Sequence, residues 1–418
     1  MSIPTETIAG SQSELRAHRP FVLFWCARVS TVAAYMALAV AVGWQIYDLT
    51  GSAFDLGLVG LAQFLPFVAL PLLIGQVADR YDRRIVLRVC QTGHACAALT
   101  FAYGTYAGLL TREAILAILF FIGTCRAFEV PTMLTLVQGL VPKALLPRAI
   151  ASAAAANQSA VICGPALGGL IYSTFGPVTV YLCCATLFIT ASMLVGLIKL
   201  QGQVQERRPV TMKILFAGFA FIRSQPVILG AISLDLFAML LGGVTALLPI
   251  YAKDILMTGP WGLGLLRSAP AVGSLIAAVV LARWSIEAKA GKILFASVAA
   301  FGVSIAAFGL STSLLLSLIA LVGYGAADAI SVVIRHSMVQ TRTPNDMLGR
   351  VITVNSMFTG SSGTLGEFRA GVMAAWLGAV PAVLFGGAAA IAVTLIWMRL
   401  FPEITRIEKL TSEDERKD

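Results

Sequence analysis

The chain has 418 residues, of which 58% are hydrophobic and 12% charged, and its formal net charge is +9. Because charged residues make up roughly 25% of a typical soluble domain, this composition argues against a soluble enzyme, a disordered chain or a disulfide-rich secreted domain. The basic excess does not indicate a nucleic-acid partner, since the charges lie between long apolar runs, as in the cytoplasmic loops of membrane proteins.

The predicted elements are twelve membrane-spanning helices, because a hydrocarbon core about 30 Å thick requires about 20 apolar residues per helix. The first six spans are predicted at 21–47, 55–79, 84–110, 114–140, 149–173 and 177–200. The second six are predicted at 226–251, 260–282, 290–311, 313–340, 347–373 and 379–400. The expected fold class is an all-α polytopic membrane protein.

The predicted domain organisation is two six-helix bundles joined by a linker. The segments are a cytoplasmic N-terminus at 1–20, a first bundle at 21–200, a linker with an amphipathic helix at 201–225, a second bundle at 226–401 and a cytoplasmic tail at 402–418. Of the 30 Lys and Arg residues, the outer loops contain only Arg112 and Lys253. The positive-inside rule therefore places both termini in the cytoplasm.

The two predicted bundles are related by an internal repeat. A shift of 202 residues aligns Val137–Val178 with Val339–Val380 without a gap, and it matches Gly164 with Gly366. Two bundles related by an axis along the membrane normal follow from this repeat. Transporters built in this way bind their substrate between the bundles, near mid-membrane.

The strongest local motif lies in the predicted loop between spans 2 and 3. It contains Gly75, Asp79, Arg80, Arg83 and Arg84, and it resembles the signature loop of the major facilitator superfamily (MFS). The glycine permits close helix approach, and the aspartate can face a helix N-terminus or a neighbouring arginine. The resemblance implies a conformational lock, while the alternative is that the basic residues only set the topology.

A second motif, in span 5, consists of Gly164, Pro165, Gly168 and Gly169. It is similar to the Gly-Pro motif of MFS exporters that exchange substrate for protons, although Ala160 stands where that motif has a glycine. Such a sequence lets two helices touch closely and bends one of them. The resemblance implies antiport, whereas the residues alone are also compatible with ordinary helix packing.

A third motif, Gln340–Val351, together with Leu215–Ile222 and the dipeptide at 225–226, resembles the MFS subgroup of the enterobactin exporter and drug:proton antiporters. The resemblance covers essentially the whole chain. The sequence contains no GxxxxGK[ST] phosphate loop, no HExxH zinc motif and no GxSxG nucleophile elbow. We therefore expect no cofactor, no metal and no enzymatic activity.

Ionisable residues within the predicted spans mark candidate functional positions, because charge is costly in the membrane. In the first bundle, Arg126 and Glu129 are three residues apart on one helix face and are expected to pair. Arg28 is also expected within reach of Glu129. The alternative for Glu129 is a static buried ion pair with no role in coupling.

In the second bundle, Asp235 is expected to pair with Arg335 across helices, and Asp328 lies nearer the middle of its span. Proton coupling requires a carboxylate whose protonation changes with its surroundings, and a moving arginine supplies such a change. The candidates for proton coupling are Glu129, Asp235 and Asp328. For each of them the alternative is a static ion pair.

Two further groups are predicted from depth alone. Glu367, Arg369 and Arg267 are candidates for an outer gate. His94 and His336 are candidate titrating groups, although a single histidine in a span is more often a packed and hydrogen-bonded residue.

A set of polar, aromatic and methionine residues is predicted to line a substrate cavity, because such surfaces adapt to bulky amphipathic ligands. The set is Tyr35, Gln63, Phe64, Phe237, Met239, Asn355, Met357 and Phe358. The same residue types occur in any core or lipid-facing helix, which is the alternative for each one.

The function predicted from the sequence is secondary active transport: proton-coupled efflux of amphipathic small molecules, such as drugs or siderophores, by alternating access. The expected partners are a small-molecule substrate, protons and the lipid bilayer, with the chain acting as a monomer in a bacterial inner membrane. The alternatives are uptake or uniport of a nutrient and, from another class, a transport-inactive sensor or scaffold.

Overall fold

The computed structural model describes residues 18–198, 212–284 and 289–408. Regular structure in these ranges is entirely helical, and ten of the helices are long and apolar enough to span a membrane. The chain is thus an all-α polytopic membrane protein, as the composition predicts. The predicted N-terminal segment up to residue 17, the polar part of the linker and the end of the tail lie outside the described residues.

The chain divides into two compact units. The helices that begin before residue 198 are α1 Arg19–Thr50, α2 Ala53–Ala69, α3 Pro71–Arg80, α4 Arg83–Tyr106, α5 Arg112–Leu136, α6 Leu146–Phe175 and α7 Pro177–Gly196. Helix α4 packs along α7 and α5, and these contacts form the centre of the first unit. Short 3₁₀ turns at Val137–Gly139 and Lys143–Leu145 connect α5 to α6.

The second unit contains the remaining helices. They are α8 Met212–Ser224, α9 Pro226–Gly242, α10 Gly259–Arg283, α11 Ala290–Gly309, α12 Leu314–Arg342, α13 Asn345–Leu377, α14 Ala379–Leu400 and α15 Pro402–Thr405. Between α9 and α10 the chain forms a 3₁₀ turn at Thr245–Leu247, one helical turn at Leu248–Ile250 and a π-helical turn at Tyr251–Ile255. Helix α12 packs on α10 and α11, and α9 packs on α13 and α14.

Predicted spans 2 and 11 are the two that fall outside the ten. Span 2 is divided because Pro71 begins α3, and a residue before proline is disfavoured in the α conformation, so that α2 ends at Ala69. Helix α13 has 33 residues but contains Glu367 and Arg369 among many small polar residues. Its length suffices to span a membrane, but it is less apolar than the ten helices that meet both conditions.

The boundary between the units differs from the predicted one, because residues 46–61 group with the second unit. In that unit Lys253 Nζ lies 2.5 Å from Asp48 Oδ1. A Cβ on Gly57 would lie only 3.3 Å from the Cα of Gly371, which shows how closely α2 approaches α13. Helix α1 is therefore shared between the two units.

The 202-residue repeat is visible in the backbone of each unit. Gly176 (φ +82°, ψ 172°) joins α6 to α7, and Gly378 (φ +91°, ψ 162°) joins α13 to α14. Positive φ of this kind is accessible at little cost only to glycine, which explains why both positions carry it. The matched glycines are thus the turns of a repeated helix pair.

Candidate functional sites in the two units

The loop motif between α3 and α4 is organised around a residue that the sequence analysis did not select. Asp82 is the N-cap of α4, where it accepts a hydrogen bond from the backbone N–H of Arg84 (2.8 Å). The guanidinium of Arg84 lies 2.6 Å from Asp82 Oδ2 and also donates to the carbonyl of Ile198 (2.9 Å). These hydrogen bonds lower the pKa of Asp82. An aspartate directly before a helix is the signal that could have identified it.

The other members of this motif are placed only in part. Arg80 is exposed at the end of α3, and Arg83 is half-buried at the start of α4. The side chains of Gly75 and Asp79 lie outside the described part of the structure. The lock that the resemblance implies therefore stays a prediction for these two residues.

The span-5 motif lies on α6 in close contact with α1. Gly164, Pro165, Gly168 and Gly169 are all buried. A Cβ on Gly168 would lie 2.7 Å from the Cα of Ala37, so only glycine allows this approach. The motif thus joins two helices of the first unit at van der Waals distance, which is what small residues do in membrane helix pairs.

Gly366 makes the matching contact in the second unit. A Cβ on Gly164 would lie 2.8 Å from the Cβ of Met36, and one on Gly366 would lie 2.4 Å from the carbonyl oxygen of Met239. Met239 is one residue beyond the position that the 202-residue shift assigns to Met36. The repeat therefore extends from sequence to helix packing.

A buried acid–base pair occupies the centre of the first unit. Glu129 on α5 is 5% exposed, His94 on α4 is 1% exposed, and His94 Nδ1 lies 3.3 Å from Glu129 Oε2. The other ring nitrogen, Nε2, lies 3.3 Å from the carbonyl oxygen of Ile122. The His94 ring also packs on Phe188, with 5.1 Å between ring centroids. The sequence did not indicate a partner for His94, and the structure shows that this partner is Glu129.

The predicted pairing of Arg126 with Glu129 is wrong. Arg126 Nη1 donates to the Tyr35 hydroxyl (2.5 Å), and the guanidinium lies 4.1 Å from the centroid of the Tyr35 ring. Tyr35 in turn hydrogen-bonds Gln63. Arg126 is exposed whereas Glu129 is buried. Spacing on a helix brings two residues to neighbouring positions, but the packing of α5 on α4 turns the glutamate inward towards His94.

Arg28 also contacts a different group from the one predicted. Its Nη2 donates to Asn157 Oδ1 on α6 (3.4 Å), and its Nε is buried without a hydrogen bond. The counted depth of Arg28 and Glu129 suggested a contact, yet depth does not specify the direction in which a side chain leaves its helix.

The predicted ion pair of the second unit is present. Asp235 on α9 and Arg335 on α12 form an ion pair, with exposures of 4% and 1%. The Thr359 hydroxyl donates to Asp235 Oδ2 (3.3 Å). Asp328 lies two turns before Arg335 on α12, and both carboxylates line one small cavity. The acids of this unit are thus brought together, while only one has a permanent cationic partner.

The three candidates for an outer gate lie on two helices of the second unit, α10 and α13. Glu367 accepts a hydrogen bond from the Thr245 hydroxyl. Arg369 donates to the carbonyls of Leu240 (3.1 Å) and Gly243 (3.5 Å) at the end of α9. Residues two apart on a helix point in different directions, which explains why Glu367 and Arg369 do not share a partner. Arg267 lies on α10.

The cavity candidates separate into different environments. Tyr35 and Gln63 belong to the hydrogen-bonded group around Arg126, and Phe64 is half-buried next to them in sequence. Met239 lines the small cavity beside Asp235.

The remaining candidates are dispersed over α9 and α13. Phe237 packs on Trp397, with 5.1 Å between ring centroids, and Phe358 packs on Phe219 at 6.5 Å. Asn355 is 4% exposed and its Oδ1 forms no hydrogen bond, whereas Met357 is 45% exposed. The substrate cavity that the sequence predicts therefore stays a prediction.

Long apolar helices, a repeated helical unit and ionisable side chains inside the spans define a multi-pass membrane transporter. The family model MFS_3, described as transmembrane secretion effector, matches residues 10–416. The chain belongs to this family of the major facilitator superfamily, whose members are transporters and not enzymes.

Curated relatives and solved structures agree with this assignment. The chain is 29% identical over 406 residues to the enterobactin exporter EntS of Citrobacter koseri, covering 95% of each chain. It is 29% identical to EntS of Escherichia coli O81, covering 84% of each. A mutant of the nucleoside transporter NupG has the same fold (TM-score 0.74, 14% identity, 91% of this chain and 100% of that one). So does a bacterial homologue of the iron transporter ferroportin (TM-score 0.70, 16% identity, 93% and 99%).

Proposed function

We propose that this chain is a proton-coupled exporter of amphipathic small molecules, which works by alternating access as a monomer in a bacterial inner membrane. The direction of transport is supported by the relatives named for enterobactin export and by the close packing of the span-5 motif on α1. The main observation that supports proton coupling is the buried contact of His94 with Glu129.

The geometry of this pair provides a place for one proton. The Ile122 carbonyl oxygen can only accept, so that the Nε2 proton of His94 is used there. Nδ1 and the Glu129 carboxylate are then two acceptors that face each other unless one proton lies between them. His94 Nδ1 and Glu129 Oε1 form no hydrogen bond, and leaving buried polar atoms without one is costly. A proton bound between Nδ1 and Glu129 Oε2 removes this cost for Nδ1.

The groups around the pair supply a means of release. Gln91 and Arg126 both interact with the Glu129 side chain, and the thiols of Cys90 and Cys125 are also near enough for electrostatic interaction with it. Arg126 is the member of this group with a permanent charge. Its approach to Glu129 favours the ionised carboxylate and expels the proton, and its withdrawal favours protonation.

In the proposed cycle, protons enter from the outside while substrate leaves the cytoplasm. Protonation biases the equilibrium between two conformations by as much as the proton's affinity differs between them. Gly164 and Gly168 keep α6 against α1 and seal the helix pair against ion leakage. The loop motif with Gly75, Asp79 and Arg80 restrains one of the two conformations.

The polar contact for the substrate is proposed to be the exposed side of Arg126. Stacking on Tyr35 covers one face of the guanidinium and orients it, and the remaining N–H groups point along its edge, where they can bind an oxygen-rich group. An apolar surround with one such contact suits drugs or siderophores, and enterobactin is the first compound to test.

The experiment measures proton release from inside-out vesicles that contain the full chain. The vesicles are energised to an acid interior, the gradient is followed with a fluorescent dye, and enterobactin or ethidium is added. We expect the gradient to collapse with the wild type. Glu129→Gln replaces the ionisable carboxylate with an amide of nearly the same volume. We expect the response to fall at least tenfold, because the loss of a group that transfers a proton typically costs more than this.

The matched control is Glu113→Gln, since Glu113 is an exposed acid on the same helix whose side chain is 76% exposed. It should retain the wild-type response. A full response in Glu129→Gln would contradict coupling through this pair. Entry of substrate into the vesicles only up to equilibrium, without any change in the proton gradient, would favour uniport and contradict antiport.

A further inference from the structure

A buried amide, that of Gln91 on α4, lies beside the proton pair of the first unit. Gln91 is 0% exposed and interacts with the Glu129 side chain. Its Nε2 donates to the buried Thr31 hydroxyl on α1 (3.2 Å), and that hydroxyl donates to the carbonyl oxygen of Ala27 (2.9 Å). The amide thus connects α1 with the carboxyl group on α5.

The oxygen of this amide has no hydrogen-bond donor. Gln91 Oε1 and Glu129 Oε1 are both buried and form no hydrogen bond in the described part of the chain. The proton proposed between His94 Nδ1 and Glu129 Oε2 leaves these two oxygens unchanged, since each then only accepts. Two buried acceptors without a donor are costly. The site therefore requires a further hydrogen, separate from the one that His94 shares.

The amide can supply this hydrogen by turning. A half-turn of the amide group exchanges the positions of Nε2 and Oε1, which differ little in size. Nε2 can then donate to Glu129 Oε1, and Gln91 Oε1 can accept from the Thr31 hydroxyl, which rotates away from the Ala27 carbonyl. That carbonyl lies within α1, where a backbone N–H is its regular partner.

We propose that Gln91 is a positioning residue for the proton pair, with an amide that turns between a holding orientation on Thr31 and a releasing orientation on Glu129. In the holding orientation the carboxyl group has no N–H donor, which disfavours negative charge and keeps the proton bound. In the releasing orientation an N–H group donates to the carboxylate, and such charge-assisted hydrogen bonds are about twice as strong as neutral ones. This inference rests on the proton pair of the proposed function.

Thr31 selects the orientation. Its hydroxyl hydrogen is engaged by the Ala27 carbonyl, so that its oxygen presents lone pairs, which attract Nε2 and repel Oε1 of Gln91. A change in α1 that withdraws this hydroxyl frees the amide to turn towards Glu129. Through Gln91, a residue on α1 thus determines how firmly an acid on α5 holds its proton.

The ionisable groups that act on Glu129 lie on its own helix and on α4. They are Arg126 and Cys125 on α5, and His94 and Cys90 on α4. From α1 and α7 the contacts with this site come from neutral side chains, Thr31 to Gln91 and Phe188 to His94. Substitutions at Thr31 and Gln91 can therefore alter the hydrogen bonds without altering a charge.

The test follows protonation of Glu129 in the purified full chain by infrared difference spectroscopy, which needs no substrate. The carboxyl C=O band that is absent in Glu129→Gln belongs to Glu129, and its loss with rising pH gives a midpoint. Gln91→Met removes the N–H donor at similar volume, and the midpoint should rise by about one pH unit, a tenfold change in proton affinity. Thr31→Val removes the holding hydroxyl without changing the shape, and the midpoint should fall by roughly half a unit.

Two variants are expected to keep the wild-type midpoint. Thr31→Ser retains the hydroxyl. Thr100→Val is the matched control, since Thr100 is exposed on α4 and its hydroxyl donates to the carbonyl of Cys96 (2.9 Å). In the Gln91→Met background, Thr31→Val should add no further shift, because the amide through which it acts is gone.

Shifts of the same sign in Gln91→Met and Thr31→Val, or no shift in either, would overturn the inference. Absence of a band that depends on Glu129 would overturn it as well. If Gln91→Met does not fold, the comparison of Thr31→Val with Thr31→Ser decides the question.

The vesicle experiment separates this inference from the proposed function. Unshifted midpoints together with a lost vesicle response in Glu129→Gln mean that the inference fails while proton coupling stands. Opposite shifts together with a full vesicle response in Glu129→Gln mean that Gln91 positions the pair but that the pair does not drive transport.

Discussion

The two units contain buried charge pairs of different chemistry, and of the helices that carry them only α5 and α12 correspond under the 202-residue shift. The first unit has Glu129 with His94, a partner whose charge depends on one proton. The second has Asp235 with Arg335, a partner that is always charged. The 202-residue shift places Asp328 opposite Arg126, so the repeat preserves positions while exchanging the sign of the charge. Duplicated helices can therefore retain one packing and separate a titratable site from a permanently charged one.

The largest effect is expected when the ion pair of Asp235 with Arg335 is broken. Asp235→Ala leaves Arg335 buried without its counter-ion, and we expect a destabilisation of about 3–5 kcal/mol, measured by thermal unfolding in detergent. Asp235→Leu combined with Arg335→Met should recover most of this loss, because an apolar pair avoids the desolvation of both charges. In the first unit Glu129→Gln should cost far less, since His94 can remain neutral. Equal losses for Asp235→Ala and Glu129→Gln would remove the distinction between the units.

The next effect concerns the repeated helix contact. Gly366→Ala places a Cβ 2.4 Å from a backbone oxygen, whereas Gly164→Ala meets a side-chain carbon at 2.8 Å. Overpacking costs about 1–3 kcal/mol, and we expect Gly366→Ala to be the more damaging of the two in thermal unfolding. Gly363→Ala is the control, because nothing lies within 4 Å of its added Cβ. A Gly164→Ala variant less stable than Gly366→Ala would refute this order.

A smaller effect is expected at the N-cap of α4. The pKa of Asp82 is lowered by its hydrogen bonds to Arg84, so its contribution is present at neutral pH and is lost as the pH falls through the folded-state pKa. Asp82→Asn should cost at most about 1 kcal/mol at pH 7, since asparagine also caps helices. The difference from the wild type should vanish on acidification. A difference that grows at low pH would show that another group is responsible.

The smallest effect is expected at the ion pair that links residues 46–61 to the rest of the second unit. The side chains of Lys253 and Asp48 are 34% and 58% exposed, and exposed pairs contribute about 0–1 kcal/mol. Lys253→Ala should lower the unfolding midpoint slightly at low salt and not at 1 M salt, where such charges are screened. Lys253 Nζ also lies 5.7 Å from the centroid of the Tyr47 ring. The same change at both salt concentrations would indicate the loss of packing on this ring rather than the loss of charge.

The sequence was sufficient for the parts of this protein that depend on local composition and spacing. Apolar runs of about 20 residues predict membrane helices, because the bilayer leaves the backbone few other ways to satisfy its hydrogen bonds. The glycines of the span-5 motif predict close helix contact, and the matched positions at 176 and 378 predict repeated turns. The pairing of Asp235 with Arg335 was also accessible, since few charges occur at that depth.

Tertiary structure decided what depends on the direction of a side chain. Glu129 has Arg126 as its neighbour in sequence, but the packing of α5 on α4 gives it His94, and Arg126 stacks on Tyr35 instead. Residues 46–61 join the second unit because Gly57 and Gly371 permit backbone contact. Spacing along one helix determines which residues share a face, but only the neighbouring helices determine what that face meets.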